Sequence, residues 1–168
     1  EPFLAGLRQY FKDHAYGNSE FSDLLSALEK SSGRELDTWA QEWLQTAGVN
    51  TLSPVLETDA DGNISSLAVS QVAHPDWPTL RRHRLGIGFY NKIEGKLVRE
   101  HYLEVDVDGA STEVGEAVGI AQPDLLLLND NDLAYAKIRL DERSRATVAE
   151  GLSSLEDSLA RALCWGAA

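Results

Sequence analysis

The sequence predicts an α+β chain: three antiparallel helices, a roughly seven-stranded antiparallel β-sandwich, then one terminal helix. Three observations lead there. Apolar residues recur with a helical period over residues 1–48, and the period becomes two, with β-branched residues and turn signals, over 49–140. The helical period then returns over 141–168.

In the first zone Phe3, Leu4, Leu7, Tyr10 and Phe11 form one stripe of a helix, which Gly17-Asn18-Ser19 stops while offering a cap to the next. Phe21, Leu24, Leu25 and Leu28 repeat the stripe up to Ser31-Ser32-Gly33. Leu36, Trp39, Trp43 and Leu44 make a third, with Gly48 as its expected C-terminal cap. The short loops between them imply helices packed side by side. So short a stretch is too small to stand alone as a domain, and its stripes need a partner surface.

In the second zone Asp61-Gly62 separates Pro54–Thr58 from Ile64–Val72, a hairpin in which the glycine supplies a positive φ. Leu80–Tyr90 and Lys96–Val107 flank a longer turn, Asn91 to Gly95. On the first of these strands Arg82, Arg84, Gly86, Gly88 and Tyr90 share one face, and Leu85, Ile87 and Phe89 the other. On the second, Leu97, Leu103, Val105 and Val107 have one parity and are expected on one face. Ser111–Val118, Asp124–Leu128 and Ala134–Leu140 complete the sandwich. In the third zone Val148, Leu152, Leu155, Leu159 and Leu163 continue one helical stripe, which needs a neighbour to dock on.

At 43% hydrophobic and 25% charged residues the chain reads as globular, not disordered. A net charge of −12, with acid exceeding base in every zone, argues against nucleic acid or an anionic membrane as partner. No apolar run approaches a membrane span and no signal peptide is visible, so the expected location is cytoplasmic. The absence of methionine, even at position 1, is expected for a chain cut from a longer one.

No spacing in the chain carries catalysis. His14, His74, His83 and His101 fall on different elements without the four-residue spacing of a helical zinc site. Asp59-Ala60-Asp61-Gly62-Asn63 opens like a calcium loop, but its glycine comes too early and Ser70 stands where a bidentate glutamate belongs. Asn129-Asp130-Asn131-Asp132 reads as an Asx-rich turn. The single Cys164, beside Trp165 on an apolar helix, reads as inert packing. Gly86-Ile87-Gly88 is half a dinucleotide fingerprint but sits inside a strand. Glu29, Glu35, Asp37 and Glu42 carry no weight as an acid–base pair in so acidic a chain. Trp39 and Trp43, one helical turn apart, read as core, and Arg81, Arg82 and Arg84 as strand surface. Catalytic and metal residues are therefore read as none, and substrate-binding residues as unknown.

Two phrases resemble a known family. Phe3-Leu4-Ala5-Gly6-Leu7-Arg8-Gln9-Tyr10-Phe11, with His14, Tyr16 and Asn18, runs on through Asp23-Leu24, Ser32-Gly33, Trp39 and Trp43 to Gly48-Val49-Asn50. It is similar to the closing helices of the catalytic domain in M1 zinc aminopeptidases, the aminopeptidase N family. Pro123-Asp124, the four leucines after it and Asn129-Asp130-Asn131-Asp132, through Tyr135, Lys137 and Leu140-Asp141, resemble the end of that family's β-sandwich. Leu159 to Trp165 resembles the first helix of its C-terminal domain. The departures are Asn50, where proline is common, and Ser26, where a partner to a tryptophan-bearing turn is expected.

The resemblance implies three parts. Residues 1–48 would be the last helices of a thermolysin-like catalytic domain, 49–140 the β-sandwich, and 141–168 the first helix of a C-terminal helical domain. It implies a bacterial parent enzyme that uses zinc to remove N-terminal residues from peptides. The family's His-Glu-x-x-His, its Gly-x-Met-Glu-Asn strand and its catalytic tyrosine would lie upstream of Glu1. This stretch would then be an inactive spacer, with no cofactor of its own and the missing domains of the same chain as its partners. The share of Ala, Leu, Asp and Arg suits an actinobacterial source. The competing reading is a self-standing sandwich that binds through Trp77, Tyr90 and Tyr102 on one exposed face.

Overall fold

A computed structural model describes residues 1–168 as an α+β chain. They fall into two compact units, Glu1–Thr46 and Ala47–Ala168.

The first unit is helical: α1 (Pro2–Asp13), α2 (Phe21–Ser32) and α3 (Asp37–Leu44). Pro2 occupies the first turn of α1, where its missing N–H costs nothing. The N-cap of α2 is Glu20, one residue beyond the Gly17-Asn18-Ser19 stretch expected to supply it. Glu20 and Asp23 form a reciprocal capping box, while the Ser19 hydroxyl pairs with Tyr10 Oη at 2.6 Å. Gly33, at φ 67°, closes α2. α1 and α2 approach closely at Gly6, whose missing side chain leaves room for Ser31 and Leu28. Phe3, Leu4, Phe11, Phe21, Trp39 and Leu44 remain exposed, Phe11 at 67%. Gly48 does not cap α3, whose C-cap is Gln45.

The second unit holds two sheets. β1 (Thr51–Thr58), β2 (Ile64–Val72), β5 (Ser111–Glu113) and β7 (Lys137–Ile138) form one, in the order β5-β2-β1-β7. β3 (His83–Ile93), β4 (Lys96–Val107) and β6 (Leu125–Leu128) form the other, in the order β4-β3-β6. Pairing is antiparallel except for β7, which runs parallel to β1 at Thr51 and Leu52. Pro54 lies beyond that short pairing, where β1 has no second neighbour to demand its N–H. Both sheets feed one core: Leu52, Leu67 and Val69 from the first, and Leu85, Ile87, Phe89, Leu126 and Leu128 from the second. Asp59 holds the β1–β2 turn, its Oδ1 accepting from the amides of Asp61 and Asn63, and Gly62 takes φ 83°.

A second apolar cluster lies on the opposite side of the β3-containing sheet, joining Tyr90, Leu97, Leu125 and Leu127 to Val148, Leu155, Ala160 and Cys164. β6 is therefore buried on both faces, which is why its four residues are all leucine. Leu97 belongs to this cluster and not with Leu103, contrary to its parity. A bulge explains the change: Phe89 pairs with His101 and Tyr90 with Arg99, so Glu100 is an extra residue and everything beyond it changes face.

The expected single terminal helix is two, α4 (Glu142–Gly151) and α5 (Ser158–Ala167), with a 3₁₀ turn at Leu152–Ser154 between them. Gly151 is a weak helix former, and Asp157 opens a new helix by accepting from the amides of Leu159 and Ala160. The break lets Leu155 leave the helix and bury completely beside Leu97. At the other end Asp141 caps α4, and Ser144 Oγ accepts the amide of Leu126 at 2.8 Å, satisfying an outward N–H of β6.

Candidate functional site

The residues singled out in the sequence do not converge. His14 ends α1, 4.0 Å from Asp23, and His74 sits half-exposed beside Asp76. His83 is buried with Nε2 3.0 Å from Gln71 Oε1, and His101 stands edge-on to Phe89. No group of three His, Cys, Asp or Glu side chains is placed to hold a metal ion. Nor do Trp77, Tyr90 and Tyr102 form a binding platform. Tyr90 is buried, while Trp77 sits on the loop before β3, against Gly48.

The most developed polar constellation lies in the Asx-rich turn Asn129-Asp130-Asn131-Asp132. Asp130, two residues beyond β6, has a side chain with no exposed surface. Its Oδ1 accepts from the Tyr90 hydroxyl at 2.6 Å and its Oδ2 from Arg99 Nη1 at 2.6 Å. Its amide donates to Gly86 O at 3.1 Å. The turn is built for this: Asn129 takes φ 58° and Asp132 φ 52°, and the Asn129 side chain spans the loop to the amide and carbonyl of Ala134.

Strand β3 makes room for the constellation. Gly88 has no side chain where the Asp130 carboxylate and the Tyr90 ring sit, and Gly86 none where the Tyr102 phenol lies. Asn131 Nδ2 donates to Tyr102 Oη at 2.9 Å, and Arg99 lies 5.0 Å from the centre of the Tyr102 ring. The alternation that put Gly86, Gly88 and Tyr90 on one face was legible. A pair of glycines two apart on a strand is the signal that something packs close, and it could have pointed here.

Burial, then the hydrogen bond to Asp130, holds the Tyr90 phenol well above its ordinary value. Arg99 is held above its own, first by its hydrogen bond to Asp130. Cys164, fully buried in the second cluster, is pushed from 9.0 up to about 12, mainly by burial. The carboxylate oxygens are committed and shielded from solvent, so the node braces the β6–β7 turn against β3 and β4 and is closed to a substrate.

One consequence is measurable at alkaline pH. Cys164 keeps its proton in the fold more tightly than in the unfolded chain. Its stabilisation is therefore complete below about pH 9 and lost as pH rises through the range up to about 12. Thermal unfolding above pH 9 is expected to fall less steeply for Cys164→Ala than for the parent. At pH 8, a thiol reagent should label Cys164 only at the rate of opening.

No family model matches the chain. Aminopeptidase N of Streptomyces lividans is 54% identical over the whole of it, and the chain spans 20% of that protein. The chain belongs to the M1 aminopeptidase family. Tricorn protease-interacting factor F2 of Thermoplasma volcanium is 37% identical over 46% of this M1 chain, which matches 10% of that protein. In fold, the M1 chain is similar over 96% of its length to 18% of Legionella pneumophila aminopeptidase A, solved with aspartic acid, at a TM-score of 0.63 and 16% identity.

Proposed function

We propose that this chain is the non-catalytic spacer region of a zinc-dependent aminopeptidase that removes N-terminal amino acids from peptides. The observation that carries the reading is the 54% identity, over the whole chain, to an aminopeptidase N of whose length the chain spans 20%. Residues 1–48 are then the closing helices of the catalytic domain, 49–140 the β-sandwich and 141–168 the start of the C-terminal helical domain. Two sheets around a shared core support the sandwich. The apolar side chains exposed on the helical unit support a partner supplied by the rest of the enzyme.

The donor set of this chain does not fit zinc. Its histidines lie on separate elements, and the most buried carboxylate is already held by Tyr90 and Arg99. Zinc and the groups that activate water belong to the longer chain, as does contact with the peptide substrate. What these residues do is positional. The core fixes the two sheets against each other, and the Asp130 node together with Ser144 fixes β6 and α4 to them. No helix is long and apolar enough to cross a membrane, and the proposed location is cytoplasmic.

The purified chain is expected to release no product from aminoacyl amides and to carry far less than one zinc by elemental analysis. The full-length enzyme should release product and carry zinc. Saturable turnover by the 168-residue chain would overturn the reading.

A further inference from the structure

The segment Ala47–Asn50 carries the chain into β1, and the ten-residue loop 73–82, between β2 and β3, grips it at three successive points. Arg81 Nη2 donates to Ala47 O at 3.0 Å. Trp77 lies directly on Gly48, where a Cβ would come 2.7 Å from Trp77 Cβ and 3.3 Å from Cγ. Asn50 Nδ2 donates to Thr79 O at 2.7 Å, and Asn50 O accepts from the amide of Lys137 at 2.8 Å.

The loop is itself anchored. Buried Gln71 accepts the Arg81 amide on Oε1 at 3.3 Å and donates through Nε2 to Gly109 O at 2.8 Å. The turn at its tip is closed by the amide of Trp77 donating to His74 O at 2.9 Å. Arg81, Gln71 and Asn50 are buried, yet Trp77 is 52% exposed. A tryptophan kept half in solvent and laid over a glycine acts as a cover.

We propose that loop 73–82 is a clamp that suppresses a built-in hinge at Gly48. Gly48 stands at φ 92°, a conformation that glycine adopts freely and other residues rarely do. Left uncovered, it is the one position in 47–50 with access to the full range of backbone conformations, and the chain would turn there. With Trp77 seated, the Ala47 carbonyl held by Arg81 and the Asn50 side chain held by Thr79 O, one conformation is selected. The inference concerns the path of the chain at this junction, and it holds whatever the longer protein does.

The test is limited proteolysis of the 168-residue chain with a protease of broad specificity, cleavage sites read by mass spectrometry. Trp77→Ala is expected to speed cleavage within residues 45–50 by about tenfold, because cleavage follows the population of the open segment. The thermal transition of the β unit should move little, since the removed side chain is half in solvent. Trp77→Phe keeps a ring over Gly48 and should restore most of the protection.

Gly48→Ala provides a second arm whose effect changes sign. In the parent it should speed cleavage by displacing the indole, and in the Trp77→Ala background slow it by stiffening a freed chain. Unchanged cleavage at 45–50 in Trp77→Ala would overturn the clamp. So would an equal rise throughout 47–168, which would make the loop an ordinary part of the core.

Discussion

Truncating Arg99 to alanine is expected to destabilise the β unit by about 3–5 kcal/mol, more than truncating the carboxylate that it pairs with. The asymmetry comes from what each deletion leaves behind. Asp130 has no exposed surface, so without Arg99 its charge is stranded with the Tyr90 hydroxyl as its one remaining side-chain donor. Arg99 is 39% exposed. Without Asp130 its guanidinium turns to water and stays above the Tyr102 ring, and the loss is that of a buried phenol left unpaired, about 1–3 kcal/mol. Tyr90→Phe, which removes a donor while Arg99 still holds the carboxylate, should cost about 1 kcal/mol. Urea unfolding of the three single variants should therefore rank Arg99→Ala, Asp130→Ala, Tyr90→Phe. Adding Asp130→Asn to Arg99→Ala should recover much of the loss, because asparagine keeps an acceptor for Tyr90 and removes the charge. An inverted ranking, or no recovery, would mean that the node is held by packing and not by its charges.

What the sequence made legible follows the scale of the forces that set it. The change of period at about residue 49 located the strands, because a sheet with one face in a core must alternate. Leu85, Ile87 and Phe89 do enter that core. Periodicity failed where one residue was added or a helix was interrupted. Glu100 sends Leu97 to the other face through a bulge, and a glycine with a later aspartate cap cuts the last stripe in two. Neither event changes the spacing of the apolar residues, so counting could not find them. The Asp130 node was hidden for a different reason. Asn129 to Asp132 satisfies every requirement of a turn, and it is one. Only the pairing of β3 with β4 and β6 brings Gly88, Tyr90 and Arg99 around Asp130, and sequence separations of about thirty to forty residues carry no local signal.

Gly88→Ala is the second large effect, expected at the upper end of the roughly 1–3 kcal/mol that overpacking costs. The added methyl would lie 2.7 Å from Asp130 Cγ and 2.6 Å from Tyr90 Cε2, and would also overlap Asp130 Oδ2. None of these atoms is a free end. The carboxylate is tied to Tyr90 and Arg99, the Asp130 amide to Gly86 O, and the Tyr90 ring is packed into the second cluster. Gly86→Ala offers the contrast. Its methyl would strike the Tyr102 phenol, a part-exposed side chain that can swing outward at the loss of one hydrogen bond from Asn131 and its place beneath Arg99. That should cost about 1 kcal/mol. The two glycines thus separate a rigid obstacle from a movable one on the same face of β3. A double-mutant cycle decides whether Asp130 is the obstacle at Gly88. In an Asp130→Ala background two of the three clashes vanish, so Gly88→Ala should cost about 1–2 kcal/mol less than in the parent, within the usual range of coupling between touching residues. Costs that simply add would locate the strain in Tyr90 alone. The node would then owe its geometry to the aromatic ring, with the carboxylate fitted around it.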